Sequence, residues 1–189
     1  MKNLIIKSTL LLLITAAFFS CKKEDQDEPA TEQTTTHDLG NGIVETVQRG
    51  PNGVNVVFSN WIQKTQPDWM IWDAGYKFTT DMITPSLTDA VKDKGIVLVY
   101  FNLSNYVAQL PNQSIGEHLV LDYHIETGKI IARYVYGGGS VYGNDFLTVK
   151  LRYVLIPNSA FGNTGTGKMS KPVDYSNYDE VCEYYSIPK

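Results

Sequence analysis

A glycine-rich run, Gly162-Asn163-Thr164-Gly165-Thr166-Gly167-Lys168-Met169, comes within one residue of a phosphate-binding loop. That loop needs a hydroxyl directly after the lysine to hold magnesium, and a helix starting there to aim its amides at phosphate. Met169 has no hydroxyl, and Pro172 among the polar residues 170–177 opposes a helix. No nucleotide is expected. Gly138-Gly139-Ser140-Val141-Tyr142-Gly143 misses the hydrolase nucleophile elbow by one residue, and it joins two predicted strands where the elbow needs a strand followed by a helix. His118, Asp122 and His124 share the polar face of a predicted strand. At roughly 3.3 Å per residue, His118 lies about 13 Å from Asp122, too far to share a metal. Cys182 has no base beside it in sequence and reads as a packed thiol. No catalytic residue, metal or cofactor is expected.

The tryptophans are a different matter. Trp61, Trp69 and Trp72 fall within twelve residues, with Tyr76 and Phe78 close behind. Aromatic planes beside polar residues suit sugar stacking or protein contact. Trp61, Trp69, Trp72 and Tyr76 are therefore the candidate ligand-binding residues, and the competing reading places the tryptophans in the core.

Composition narrows the class. In 189 residues, 16 Lys and Arg against 20 Asp and Glu give a net charge of −4, which argues against a nucleic-acid binder. With 43% hydrophobic residues the chain can build a core, and two cysteines exclude a disulfide scaffold.

The N-terminus reads as an address. Lys2 and Lys7 precede an apolar stretch over residues 8–20, too short for the roughly 20 residues of a spanning helix but fitting a signal peptide. Phe18-Phe19-Ser20-Cys21 resembles a bacterial lipobox, which makes Cys21 the expected site of lipidation, with palmitate among the expected acyl groups. The following Lys22-Lys23-Glu24-Asp25 resembles the surface-export signal of Bacteroidetes lipoproteins. The resemblance implies an outer-membrane lipoprotein exposed at the cell surface, with a periplasm-facing anchor as the alternative. The expected organisation is a signal peptide over 1–20, a lipidated cysteine with a charged and polar tether over 21–40, and one globular domain over 41–189. The acidic body repels anionic head groups, so the lipid is expected to do the membrane binding.

In that domain, short apolar runs alternate with Gly, Asn and Pro, the spacing of a β-sandwich or barrel. Strands are predicted at 43–47, 54–58, 96–103, 117–126, 129–136 and 146–156. The last alternates, with Leu147, Val149, Leu151, Tyr153 and Leu155 inward and Thr148, Lys150 and Arg152 outward. A short helix is predicted to start at a Ser86–Asp89 capping pair and stop at Gly95. Tyr178, Val181, Cys182 and Tyr185 recur at helical spacing and predict a second helix at the C-terminus. The expected fold is therefore mainly β, an antiparallel β-sandwich, immunoglobulin-like or similar, with one or two short helices.

From about residue 57 onwards the chain resembles a group of uncharacterised Bacteroidetes lipoproteins. The resemblance rests on the Trp61 region, Gly95-Ile96-Val97-Leu98-Val99-Tyr100, Gln109-Leu110-Pro111, Leu151-Arg152-Tyr153-Val154-Leu155-Ile156-Pro157 and the closing residues 178–188. It implies no activity and no catalytic residue. The functional expectation is a non-enzymatic, lipid-anchored domain that binds a glycan or an envelope protein. The alternatives are a structural accessory subunit of an envelope complex and, less favoured, a hydrolase.

Overall fold

The Gly40-Asn41-Gly42 corner sets the first hairpin. Asn41 and Gly42 both take positive φ, 51° and 73°, the backbone demanded by a tight two-residue hairpin turn. It joins β1 (Thr35–Gly40) to β2 (Ile43–Arg49), paired antiparallel. The expected tether to residue 40 is thus corrected: the folded part already includes β1, because that turn returns the chain onto β2. The computed structural model describes residues 34–50, 53, 55–72, 77–104, 106–112, 119–136, 148–157 and 173–189, which all fall in the unit Glu32–Lys189. Cys21, Tyr76, His118 and both glycine-rich runs of the opening paragraph lie outside them.

The chain continues through β3 (Asn55–Ser59), β4 (Ile62–Lys64), a 3-10 turn (Gln66–Asp68), β5 (Met70–Trp72), β6 (Lys77–Ile83) and helix α1 (Asp89–Lys94). Then come β7 (Ile96–Leu103), β8 (Tyr106–Gln109), β9 (Leu119–Glu126), β10 (Lys129–Tyr136), β11 (Val149–Ile156) and helix α2 (Tyr178–Tyr185). The strands form two antiparallel sheets, a larger one in the order β1-β2-β3-β11-β7-β8 with β4 also on β11, and a smaller one in the order β5-β6-β10-β9. The protein is mainly β and packs as a sandwich, as its alternating strands lead one to expect.

One face of each sheet meets the other. Val99, Phe101, Leu151 and Tyr153 from the larger sheet pack with Phe78, Met82, Ile130 and Tyr134 from the smaller. The opposite face of the larger sheet is also covered. Tyr178, Val181, Cys182 and Tyr185 of α2 bury against Val56, Phe58, Leu98, Tyr100 and Val154. Three layers result where α2 lies over the larger sheet, while Lys150 on that face stays exposed and the outer face of the smaller sheet is uncovered among the described residues.

That third layer corrects the expected outward face of β11. Lys150 is exposed, but Arg152 is only 4% exposed because α2 lies over it. Its Nε donates to the Ser59 carbonyl at 2.8 Å and its Nη1 to the Pro188 carbonyl at 2.6 Å and to Tyr178 Oη. The rings of Phe58, Trp61 and Tyr178 surround the guanidinium at 5.3, 5.7 and 5.9 Å. Gln48 fixes the same layer, donating to the Ser186 carbonyl at 3.2 Å.

Helix α1 is capped two residues later than expected. Thr88 is the N-cap and accepts from Val91 N, whereas Ser86 donates to Glu45. Gly95 ends α1 as expected, for a packing reason: a Cβ there would sit 2.7 Å from the carbonyl oxygens of Ile156 and Val91.

Candidate functional site

The aromatic residues singled out in the sequence fall into separate environments. Trp69 is 5% exposed and meets the edge of Tyr134 at 6.3 Å. The preceding 3-10 turn places it there, held by Asp68 Oδ2, which accepts from Thr65 N at 2.6 Å and Thr65 Oγ1 at 2.9 Å. Trp69 therefore fills the core and presents no ring to a ligand. Trp61 is half-buried, 5.3 Å from the Tyr178 ring. Trp72 is exposed on β5, on the other side of the sandwich.

Trp61 is one wall of a groove of about 620 Å³ where α2 meets β7 and β8. A volume between about 300 and 1,000 Å³ is usual for a ligand site. Tyr106, 51% exposed on β8, and Asn102 on β7 also line it. Ser176, Asn177, Asp179 and Lys189 form its polar rim. Each wall is held from behind. Trp61 and Tyr178 rest on the buried Arg152, whereas the Tyr106 ring lies on the other face of the sheet, against Phe101 at 5.8 Å, and borders the groove only at its edge. Asp174 accepts from Ser176 N at 2.9 Å and from Ser176 Oγ at 2.7 Å. Asn177 caps α2 through Oδ1, at 3.0 Å from Asp179 N and 3.2 Å from Glu180 N, leaving its amide nitrogen uncommitted among the described residues.

The rim's two charged residues neutralise each other: Lys189 Nζ and Asp179 Oδ1 are 2.5 Å apart. Both are exposed, so the pair contributes little to stability, but it leaves the groove without surplus charge. The hydrogen bond to Asp179 holds the Lys189 ammonium above its ordinary range. Burial, chiefly, pushes the Tyr178 hydroxyl up to about 12. The groove therefore offers neutral ring faces, carboxamides and a closed ion pair.

Among the described residues, the buried ionisable groups are engaged in structural contacts. Glu45 reaches across from β2 and accepts from Thr84 Oγ1 at 2.8 Å, from Tyr153 Oη at 2.9 Å and from Ser86 Oγ. Those bonds tie the two sheets together and occupy the carboxylate fully. Lys64 is buried against the smaller sheet, donating to the Asp81 carbonyl at 3.1 Å, and burial lowers its pKa. Burial raises the pKa of the Cys182 thiol, which suits the packed role expected of it. Asp122 is taken up by Arg133, and His124 is exposed. Among the described residues, no three His, Cys, Asp or Glu side chains converge as a metal site, and no helix is long and apolar enough to cross a membrane.

No family model, no curated protein and no solved structure matches this chain. Of the groove's lining, sequence reasoning found Trp61 and missed Tyr106, Asn102, Asn177 and Lys189. These come from separate elements, and no local spacing marks them as neighbours.

Proposed function

We propose that this protein is a lipid-anchored envelope domain, fixed to the outer membrane through Cys21, that binds a neutral glycan in the groove between α2 and β8. The observation that carries the reading is the Trp61–Tyr178 pair of ring walls beside Asn102 and Asn177, with the rim charges closed into the Lys189–Asp179 pair. A pyranose has apolar C–H faces and a belt of hydroxyls. The rings meet the first and the carboxamides meet the second. The domain acts by binding, not by catalysis.

The test is a panel of neutral polysaccharides titrated into the purified protein while tryptophan fluorescence is followed. Saturation by one glycan class, weakened about tenfold in Asn102→Ala, is the expected result. An unchanged circular dichroism spectrum establishes that the variant folds. No response anywhere in the panel, or an unchanged affinity in Asn102→Ala, sinks the reading. The anchor is tested separately: Cys21→Ser should abolish incorporation of a labelled fatty acid and release the protein from the membrane fraction.

A further inference from the structure

The α2 groove does not end at Asn102. The same residue lines a second hollow of about 350 Å³, whose polar lining is completed by Gln63, Ser104, Thr148 and Lys150. Strand register explains the continuity. Gln63 on β4 and Asn102 on β7 both stand directly opposite Lys150 on β11, so three polar residues cross the sheet in one row. The row spans two strand spacings, about 10 Å. Its neighbours along the strands, Ile62, Leu151 and Phe101, belong to the core between the sheets, which turns the row to the α2 side. Arg152, the support of Trp61 and Tyr178, lies two residues further along β11, about 7 Å from Lys150. Helix α2 covers the Arg152 end of this face and stops short of the row, where Gln63 and Lys150 are exposed.

The two ends of this surface offer different chemistry. At the Arg152 end a ligand meets the rings of Trp61 and Tyr178. At the row, among the described residues, no ring lines the hollow. It presents two carboxamides, each both donor and acceptor, an ammonium with three donors, and the hydroxyls of Ser104 and Thr148. Among the described residues the side chains of Gln63, Asn102 and Lys150 have no hydrogen-bond or ion-pair partner, so this capacity is open to a ligand. A sugar unit placed there cannot stack, but its hydroxyls find donors and acceptors on three adjacent strands. Asn102 stands where the two hollows meet, within reach of both units.

We propose that the α2 groove and this row form one cleft with two subsites, whose ligand is a chain of neutral sugars and not a single one. One unit stacks at Trp61, and the next is held through its hydroxyls by Gln63, Lys150 and Asn102. This rests on the reading of the α2 groove as a glycan site, and adds to it a selection for chain length made by Gln63 and Lys150.

Calorimetric titration of the purified protein tests this with glucose, mannose, galactose and xylose and with the oligosaccharides built from each. In the series that binds, affinity should rise about tenfold from one unit to two. Lys150→Met, which keeps the stem and removes the donors, and Gln63→Ala should each lose that gain, so that the longer chain binds no better than the single sugar. Both side chains are exposed, and an unchanged circular dichroism spectrum establishes that the variants fold. Equal affinity for one unit and for longer chains, or a gain that survives in either variant, overturns the two-subsite proposal and leaves the Trp61 reading standing. Binding by no saccharide of any length removes both.

Discussion

Replacing Arg152 by methionine asks whether a cation without a carboxylate partner among the described residues holds the third layer in place. Methionine keeps most of the stem's packing and removes the charge and the donors. The Ser59 carbonyl loses its bond in a fully buried setting, which costs about 1–3 kcal/mol. Tyr178 Oη, also buried, loses a donor worth about 1 kcal/mol. Pro188 is exposed, so water replaces the bond at its carbonyl. Three ring contacts add about 1 kcal/mol together. The opposing term is the guanidinium's own desolvation, several kcal/mol for an uncompensated buried ion. Three acceptors and three rings offset most of that here, so the loss wins by about 2 kcal/mol. Urea unfolding followed by circular dichroism should then shift its midpoint down by about 1 M, taking a slope of about 2 kcal/mol/M. A midpoint that stays put or rises would refute the reasoning, because it would mean the cage tolerates the cation and gains nothing from it.

The same assay applies elsewhere. Glu45→Gln replaces one acceptor oxygen by a donor facing three hydroxyls and should cost about 2 kcal/mol; a loss below 0.5 or so would mean that water already serves those groups. Gly95→Ala places a methyl 2.7 Å from two carbonyl oxygens and should cost about 1–3 kcal/mol, against a gain if the helix end simply relaxes. Alkaline pH supplies another test. Burial pushes Tyr178 up to about 12 and raises Tyr100, Tyr153 and Tyr185 as well. Unfolded tyrosines ionise near 10, so the native state keeps protons that the unfolded chain gives up. The stability these tyrosines contribute is complete below about pH 10 and is lost as pH climbs from there through about 12. Urea midpoints that stay level from about pH 9.5 to 11.5 would contradict their burial.

Much of the fold was legible in the sequence because a strand's period is local. Ile96–Leu103 and Lys129–Tyr136 stand at the boundaries their apolar patterns predict, and the i, i+3, i+4, i+7 spacing of Tyr178, Val181, Cys182 and Tyr185 became the buried face of α2. β4 and β5 escaped notice since three residues are too few to show a period. β1 escaped it because its residues are nearly all exposed and polar, and only the Asn41-Gly42 turn marks it.

Arg152 shows where the period-2 argument stops. Alternation says that Lys150 and Arg152 share a face, and they do. It does not say what lies over that face. The covering residues, Tyr178 and Pro188, are 26 and 36 positions away, and they lie over only one end of the strand. A charged residue at an outward position therefore reads as solvated until a later element closes over it. The tryptophans obey the same rule in reverse. Their closeness in sequence suggested one surface, yet a 3-10 turn and two three-residue strands are enough to send Trp61 to the α2 side, Trp69 to the core and Trp72 to the opposite face. Proximity along a strand-rich chain thus predicts neighbours poorly at short, sharply turning segments, and the α2 groove follows from that dispersal. It keeps a single tryptophan of the cluster, with its remaining walls drawn from strands and a helix that the local spacing of aromatic residues could not name.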